Sequence, residues 1–519
     1  MNNMEQTPWI AGLIKRLRPD ISQQLSTEPS IASEQFLRWL VTSGIQEYAI
    51  LQQDEELQNY LSEPVTKYNL TRLQYLIYGA HRDVQQAFPL PSRYNEFLHW
   101  FYTHGVKNHH LGSFLSSNEK KWLTDRGYNS PHFRRIQAEI KNNLSDYPFG
   151  VNLIGHVYGQ LGIGEDVRMA AITMREMGIP FTIINFPPGD DVPQNDLSMA
   201  EHVDNRAPYA FNIFCMTAIE QARFYVVNGK RFMRGKYTIG YWPWELSQWP
   251  DDWLDLTHLV DEVWVSTRHI YDSLSPVSPV PVLVMPTAVE LGELSSKSRK
   301  DFSLPEGVKL FCFSFDLKSS IHRKNPHACV EAFLDAFPLP ENQHNVGLVI
   351  KVHPPKTKHQ EWENLKTLAS RDERVHIIEE TLSRPDLLAL YQCCDCFLSL
   401  HRAEGFGRGI AEAIQLGLHV ITTGYSGNLD FCRPPQTDLV NYKLVKVKQG
   451  EYPHGDNQVW ADVDVKHASQ LMRAFIDQAI RVDAGKSQAD NAFAAQTVGR
   501  RYEQRLNYLH EKTKVQRTK

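Results

Sequence analysis

The stretch SLHRAEGFGRGIAEAIQLG, residues 399–417, joins an apolar strand to a glycine-rich turn and then to a short helix. The strand ends at about Leu400, and the helix runs from about Arg408 to Leu416, with Gly417 as its stop. Glycines in such a turn let backbone N–H groups approach a ligand closely, and a helix N-terminus favours negative charge. The order strand, turn, helix therefore predicts a diphosphate-binding turn in an α/β fold.

Two carboxylates flank this turn. Glu404 lies in the turn itself, and Glu412 lies on the helix that follows it. Glu404 is therefore predicted to accept hydrogen bonds from sugar hydroxyls, and Glu412 from ribose hydroxyls. The turn residues predicted to bind the donor with them are Gly405, Phe406, Gly407 and Arg408.

From residue 149 onward, short apolar runs alternate with helical stretches, which is typical of βαβ units and parallel sheets. The first series of candidate strands is Gly150–Ile154, Phe181–Asn185, Ala210–Cys215, Tyr237–Tyr241, Glu262–Ser266 and Val282–Pro286. A polar break at Glu290–Asp301 separates it from a second series: Leu310–Phe315, Gly347–Val352, Val375–Ile378, Cys396–Leu400 and His419–Thr422. Ligands bind at the C-terminal ends of parallel strands, so we expect the site in a cleft between the two α/β units.

The N-terminal part of the chain contains an internal repeat. FLRWLVTSG at residues 36–44 matches FLHWFYTHG at residues 97–105. Apolar residues recur at three- and four-residue steps in both units, and a glycine follows, so residues 1–112 are predicted to form two small helical modules. Residues 113–148 are polar and predicted to be a linker.

The turn with its two glutamates resembles the E-x7-E motif of glycosyltransferase family 4, a family of retaining enzymes with the GT-B fold. Three further blocks are similar to bacterial members that build cell-surface polysaccharide: GYWPWEL at 240–246, RKNP at 323–326 and GYSGNLDF at 424–431. The resemblance covers about residues 150–480. It implies that Glu404 contacts the transferred sugar and Glu412 the ribose.

This resemblance also implies the domain organisation. We expect an N-terminal Rossmann-like acceptor domain at 149–295 and a C-terminal Rossmann-like donor domain at 296–480, with a cleft between them. A last helix within 481–519 is expected to pack back across the domains. With the helical region at 1–112, the predicted fold class is α/β of the GT-B type plus an N-terminal all-helical part.

A cationic segment, FSFDLKSSIHRKNP at residues 313–326, follows the first strand of the second series. A diphosphate leaving group needs cations, because charge builds on its bridging oxygen as the glycosidic bond breaks. Lys324 matches the phosphate-binding lysine of the family, and Arg323 is its neighbour. The arginine that the family carries before that lysine has no clear counterpart, and Ser319, Ser320 or Arg323 are the alternatives.

A second glycine-rich loop, YGQLGIGED at residues 158–166, follows the first predicted strand. A dinucleotide-binding loop requires G-x-G-x-x-G and an acidic residue after the second strand, whereas this loop has G-x-x-G-x-G and Asn185. An NAD-dependent oxidoreductase is therefore excluded. In the family that the chain resembles, this loop closes over the donor, which assigns donor binding to Gly162 and Gly164.

Two further groups complete the predicted site. Trp242, Trp244 and Glu245 follow a strand of the first series, and aromatic rings beside a carboxylate suit a sugar acceptor. Buried core packing is the alternative for the tryptophans. Three residues that follow the strand His419–Thr422 are expected to border the donor cleft: Ser426, Gly427 and Asn428.

The composition of the chain limits the kinds of molecule with which the protein is expected to interact. A formal net charge of −5 argues against nucleic acid as the main partner, since backbone binding needs a basic surface. No run reaches the 18 or so apolar residues of a membrane span, and the N-terminus lacks a signal-peptide pattern, so a cytoplasmic protein is expected. Cys393–Cys396 has C-x-x-C spacing but no second pair or histidines at ligand spacing. We therefore expect no metal site and no cofactor.

The resemblance implies transfer of a hexose from a nucleotide sugar to a saccharide or lipid-linked saccharide in O-antigen, capsule or exopolysaccharide synthesis. Mannose from GDP-mannose is the first choice, and UDP-linked hexoses remain open. A lipid-linked acceptor would add peripheral association with the inner face of the membrane. The alternative is a non-catalytic scaffold in a polysaccharide assembly complex, with the 1–112 repeat making protein contacts.

Overall fold

The computed structural model describes residues 7–65, 68, 70–125, 146–189, 192–339, 345–353, 359–477 and 492–515. It divides into two compact units. One unit comprises Met1–Asn143 with Ile219–Gly235, and the other comprises Leu144–Ala218 with Lys236–Lys519. Most of the predicted linker lies outside the described residues, namely residues 126–145. So do residues 478–491 and 516–519, which include parts of the predicted segment 481–519.

The first unit is all-helical. Its α-helices are Trp9–Leu17, Pro19–Ser22, Pro29–Trp39, Ile45–Glu47, Glu55–Ser62, Arg72–Ala80, Arg82–Ala87, Tyr94–Trp100, Val106–Asn108 and Ser117–Asp125, and helix Ala218–Asn228 lies almost entirely in its second segment. Short 3-10 turns lie at Ala49–Gln53, Leu111–Phe114 and Lys230–Phe232. The segment Ile219–Gly235, inside the predicted 149–295 domain, belongs to this unit, and its Tyr225 ring lies 6.2 Å from that of Trp9.

The internal repeat is a structural repeat down to a backbone irregularity. Leu40–Gly44 and Phe101–Gly105 each form one turn of π-helix directly after an α-helix. In both copies the threonine hydroxyl donates to the carbonyl four residues earlier, at 2.8 Å for Thr42 and 2.7 Å for Thr103. Such hydroxyl-to-backbone bonds bend helices. The matched sequences therefore specify the same local distortion twice.

The second unit holds two parallel sheets. The first contains β1 Val151–Gly155, β2 Phe181–Asn185, β3 Phe211–Cys215, β4 Tyr237–Tyr241, β5 Glu262–Val265 and β6 Val282–Val284. Its strand order is β2-β1-β3-β4-β5-β6. Every strand predicted for the first series is present to within two residues, because strands buried on both faces read as uninterrupted apolar runs.

The second sheet contains β7 Lys309–Phe315, β8 Val346–Val352, β9 Val375–Glu379, β10 Cys396–Ser399, β11 His419–Thr423 and β12 Thr437–Val440. Its order is β12-β11-β10-β7-β8-β9, again parallel throughout. A separate antiparallel hairpin follows, formed by β13 Tyr442–Lys446 and β14 Val459–Val463. Strands β12 to β14 were not among the predicted strands. Each is only four or five residues long and is interrupted by a charged residue (Asp438, Lys443 or Asp462), so no apolar run marks them.

The helices of the second unit cover the sheets. They are Gly162–Glu176, Arg268–Leu274, Ile321–Lys324, Pro326–Ala336, Gln360–Ala369, Arg384–Gln392, Arg408–Gln415, Val465–Asp477 and Ala495–Val515. The 3-10 turns are Ala200–His202, Asp251–Leu259, Arg299–Phe302, Leu317–Ser319 and Gly427–Asp430. Among the described residues, no helix combines the length and apolar character needed to cross a bilayer.

The last helix, Ala495–Val515, packs on the domain of the first sheet. The Tyr502 ring lies 4.8 Å from that of Trp264 on β5, and its hydroxyl donates to the Pro286 carbonyl at 3.1 Å. We call the parts of the second unit built on the first and second sheets the first and second domains. Just before this helix, the Phe493 ring lies 5.7 Å from that of Phe406, which belongs to the second domain. The chain therefore returns from the second domain to the first at this point.

We predict that Tyr502→Ala destabilises the second unit by about 3 kcal/mol or more, because it empties a fully packed aromatic site. Thermal melting should show a clear loss in melting temperature. The matched control is Tyr508→Ala on the same helix, since Tyr508 is 53% exposed and Tyr502 only 1%. Equal losses for the two variants would contradict a packing role for Tyr502.

Candidate active site

The turn that carries Glu404 is built by close backbone approach. Gly407 has φ of 92° at the start of helix Arg408–Gln415, a conformation that favours glycine. A side chain at Gly405 would lie 2.5 Å from the Trp244 carbonyl, so only glycine fits there. The Glu404 N–H donates to Ser426 Oγ at 2.8 Å, and Gly427 N–H donates to the Glu404 carbonyl at 2.9 Å.

Two cations meet the Glu404 carboxylate. Arg323 Nη1 lies 3.0 Å from Glu404 Oε2, and the Lys324 ammonium pairs with Oε1. Both cations come from the short helix Ile321–Lys324, whose N-cap is the Ser320 hydroxyl. Arg323 also donates to the Ala403 carbonyl at 2.8 Å, which ties the two segments together. The structure thus brings together the three residues predicted from sequence to be catalytic.

The pKa values of this cluster follow from burial and mutual charge. Burial opposes ionisation of Glu404, but Lys324 and Arg323 outweigh it and lower the pKa of Glu404 to about 2. Burial lowers the pKa of Lys324, an effect that Glu404 partly offsets. Burial also opposes the charge on Arg323, but Glu404 and Glu245 raise its pKa above the usual value. Glu404 is therefore a carboxylate, and it can only accept hydrogen bonds.

The second carboxylate of the motif has a different environment. Glu412 is buried and accepts from Arg384 Nη1 at 2.8 Å, and it is not among the residues that line the cleft. Arg384 Nε also lies 3.0 Å from Glu165, on helix Gly162–Glu176 of the first domain. A ribose contact by Glu412 stays a prediction. Sequence reasoning missed Arg384, because nothing in the chain pattern joins positions 165, 384 and 412.

A second ion pair links the segment that follows the Glu404 turn to the first domain. Arg408, predicted to bind the donor, pairs with Asp166 on helix Gly162–Glu176, and both line the cleft. Burial raises the pKa of Asp166 despite this partner. Asp166 was missed as a site residue, although it lies only two positions after Gly164 in the loop that sequence reasoning singled out.

The glycines of the first-domain loop divide into two roles. Gly162 begins its helix and lines the cleft. Gly164 faces the interior, where an added side chain would lie 2.8 Å from the His156 carbonyl. Gly164 is therefore required for close packing and is not among the lining residues.

The segment Ser426–Asn428 lies behind the Glu404 turn and supports it. Asn428 Nδ2 donates to the Thr423 carbonyl at 3.0 Å, and its Oδ1 lies 3.2 Å from His401 Nε2. Burial lowers the pKa of His401 to about 4, so its ring is neutral near pH 7. Ser426, Gly427 and Asn428 are buried and do not line the cleft, so direct donor contact by them stays a prediction.

The predicted acceptor-side aromatic residues are mostly core. Trp242 is stacked on Trp249 with ring centroids 5.8 Å apart, and Trp244 packs edge-on against Trp253 at 5.4 Å. Trp242 reaches the wall of the cleft, whereas Trp244 does not, so this arrangement gives no support to an acceptor contact for Trp244. Glu245, at the end of the same block, does line the cleft.

The cleft has a volume of about 1010 Å³, enough for a nucleotide sugar. Its walls follow the C-terminal ends of strands in both sheets, as the topology of parallel sheets requires. Strand β4 ends at Tyr241 and is followed by Trp242, β7 is followed by Asp316, and β8 is followed by His353. Lys318, His353 and Thr381 also line the wall formed by the second domain. Within the described ranges, no group of three or more His, Cys, Asp or Glu side chains is arranged to hold a metal ion.

One protein-family model matches the segment of the chain that contains the Glu404 turn and its two cations. Residues 299–441 match the family model described as Glycosyl transferases group 1. That range contains Arg323, Lys324, Glu404 and Glu412. The comparison with curated proteins found no match.

Two solved structures share the fold. Sucrose-phosphate synthase from Thermosynechococcus elongatus is 14% identical, with 70% of this chain and 100% of that chain covered and a TM-score of 0.51. A glycosyltransferase from Rickettsia africae is also 14% identical, with 70% and 99% covered and a TM-score of 0.50. The second unit has the two-domain α/β fold called GT-B. This fold and the group 1 domain together support a GT-B glycosyltransferase.

We predict that His401→Gln makes the protein less sensitive to mild acid. The folded pKa of about 4 lies below the usual 6.5, so the unfolded chain binds more protons between these values. His401 therefore contributes stability that is full above pH 6.5 and is lost as pH falls towards 4, at most about 3 kcal/mol.

The measurement is melting temperature at about pH 7 and about pH 5, across the window that this linkage defines. Wild type should lose more than the His401→Gln variant. His104→Gln, at an exposed histidine, is the control and should follow wild type. An unchanged pH difference in His401→Gln would contradict the assignment.

We also predict that Arg384→Ala lowers stability by about 3 kcal/mol, because it leaves the buried carboxylate of Glu412 without its cation. Glu165 keeps a second cation, Arg168, at 2.8 Å. Thermal melting measures the loss. The control is Arg268→Ala, whose ion pair with Asp272 is exposed and should contribute little. If Arg384→Ala and Arg268→Ala lose the same melting temperature, the buried ion pairs of Arg384 contribute no more to stability than an exposed one.

Proposed function

We propose that this protein is a retaining glycosyltransferase that moves a hexose from a nucleoside diphosphate donor to a hydroxyl of a saccharide or lipid-linked saccharide. One observation carries the proposal: Glu404 and two cations, Lys324 and Arg323, lie together at the wall of a cleft large enough for such a donor. Neither an NAD-binding loop nor a nucleophile activated by a base is part of this arrangement.

The cations supply the chemistry that departure of the diphosphate needs. Charge builds on the bridging oxygen as the glycosidic bond breaks, and fixed positive groups in a water-poor site stabilise it. Lys324 and Arg323 are held by backbone and carboxylate contacts before any donor arrives, so little reorganisation is required. A bound diphosphate would also favour the charged form of Lys324, whose pKa burial lowers.

Glu404 has the complementary role. As an ionised, acceptor-only carboxylate, it suits the hydroxyls of the transferred sugar. The acceptor hydroxyl attacks the anomeric carbon on the face that the diphosphate leaves, and an oxygen of the departing phosphate takes its proton. Anomeric configuration is then retained without a protein nucleophile. The proposal includes no metal, since Lys324, Arg323 and helix N-termini meet the phosphate charge.

The finer assignments rest on the family resemblance. Mannose from GDP-mannose is the first choice of donor, and UDP-linked hexoses are the alternative. Synthesis of cell-surface polysaccharide is the proposed pathway, with the protein in the cytoplasm or at the inner face of the membrane. Donor contacts by the turn residues Gly405 to Arg408 and by Gly162 agree with their position on the cleft wall.

We predict that one nucleotide among GDP, UDP and ADP raises the melting temperature of the wild-type protein, since binding to the folded state stabilises it by mass action. Lys324→Ala should lower the affinity for that nucleotide by about 10-fold or more, because a charge-assisted contact to phosphate is lost. Lys309→Ala, at an exposed lysine of the same domain, is the matched control and should retain wild-type binding.

Stabilisation of wild type by one nucleotide, lost in Lys324→Ala, identifies both the donor base and the phosphate site. Proton NMR of the product then tests retention at the anomeric carbon. If no nucleotide binds at millimolar concentration, the enzyme proposal fails and the non-catalytic scaffold becomes the better description.

A further inference from the structure

The hairpin of β13 and β14 begins at Tyr442, immediately after the segment that matches the family model. The loop between its strands, residues 447–458, reaches the first α/β domain. The Tyr452 hydroxyl donates to Glu245 Oε2 at 2.6 Å. Gln458 exchanges hydrogen bonds with the backbone of Gln248 at 3.1 and 2.9 Å. The hairpin therefore supports the loop that presents Glu245 to the cleft.

The Glu245 carboxylate is only half satisfied. Its Oε2 atom accepts from Tyr452, while Oε1 lies 3.7 Å from Arg323 Nη2, beyond hydrogen-bond distance. Among the described residues, no group donates a hydrogen bond to Oε1. Glu245 lines the cleft, so this oxygen has unused acceptor capacity at a wall that a ligand can reach.

Arg323 lies between two carboxylates of the cleft. Its Nη1 atom lies 3.0 Å from Glu404 Oε2, and its Nη2 atom faces Glu245. Glu404 belongs to the second domain and is the group proposed for the transferred sugar. Glu245 belongs to the first domain, so its carboxylate faces Arg323 from the opposite wall of the cleft.

Tyr452 is held as a proton donor. Its ring packs 6.2 Å from that of Trp244 and 6.5 Å from that of Trp460, which fixes its position. Burial and the neighbouring Glu245 raise the pKa of Tyr452 well above its usual value. The phenol therefore keeps its proton at neutral pH and can only donate to the carboxylate beside it.

We propose that Glu245 Oε1 accepts a hydrogen bond from a hydroxyl of the acceptor saccharide, and that Tyr452 is a positioning residue that keeps this oxygen turned to the cleft. The inference rests on the proposed glycosyltransferase function. It also specifies the group that contacts this atom: Oε1 accepts a hydrogen bond from a neutral hydroxyl, whereas direct contact with a phosphate or carboxylate oxygen is unfavourable.

The test separates the acceptor from the donor. Purified full-length protein is assayed with GDP-mannose or UDP-glucose, whichever nucleotide stabilises it, and with octyl α- and β-hexosides as neutral acceptors. Nucleotide release is measured with and without these glycosides, so that transfer and donor hydrolysis are read separately. The variants are Tyr452→Phe, Glu245→Gln and the double variant. Tyr442→Phe is the matched control, since Tyr442 lies exposed on the same hairpin and does not line the cleft.

We expect Tyr452→Phe to raise the KM for the glycoside by about 5- to 10-fold, the effect of one hydrogen bond. Glu245→Gln should raise it by about 10-fold or more, because a charged acceptor is lost. In both variants the KM for the glycoside should change by a larger factor than the donor KM or the rate of donor hydrolysis. The double variant should be no worse than Glu245→Gln alone, because Tyr452 acts through that carboxylate.

Additive losses in the double variant, or equal losses in donor hydrolysis and in transfer, would overturn the positioning role. An unchanged glycoside KM in Glu245→Gln would overturn the acceptor contact itself. Failure of the underlying function is recognised separately, since wild type would then show no nucleotide-dependent rise in melting temperature. That same rise, measured in each variant, verifies that the variant is folded.

Discussion

The buried contact of Glu404 with Lys324 and Arg323 is the interaction on which the site depends. A lone carboxylate at this depth would be protonated, and lone cations would be equally costly, because each loses its hydration. Together they remain charged, but only if the distances and angles between the charged groups are well defined. The Glu404 turn and the helix Ile321–Lys324 must therefore be held in register, which explains the glycines, the Ser426 hydroxyl and the Ala403 carbonyl around them.

The same rule extends across the cleft. Arg384 joins Glu412 of the second domain to Glu165 of the first, and Arg408 joins Asp166. In each case a cation from the second domain meets an acidic residue near the start of helix Gly162–Glu176. A ligand that binds in the cleft therefore meets charged side chains that are already paired with one another. These ion pairs therefore tie helix Gly162–Glu176 of the first domain to the second domain.

Aromatic packing provides the rigid support behind this polar wall. The tryptophans around the block at residues 242–253 pack on one another, and through Tyr452 on the hairpin of β13 and β14. Their contribution is indirect, since they fix the backbone that presents Glu245. Aromatic residues near a sugar site can thus be structural even where a stacking role is expected, because large rings are most effective when buried.

The sequence by itself determined the strands predicted in both series and the repeat at residues 36–44 and 97–105, and its motifs singled out Glu404, Lys324 and Arg323 as candidate site residues. These features are local: apolar runs, glycine turns and a short motif each carry their own signal. Only the tertiary structure decided that Arg384 and Glu165 meet Glu412, that Gly164 packs inward, and that Tyr452 holds Glu245. Tyr452 and Glu245 are 207 positions apart, and Arg384 and Glu165 are also far apart in the chain. The periodicity of a sequence reports local structure, so it does not indicate which distant side chains the fold brings into contact.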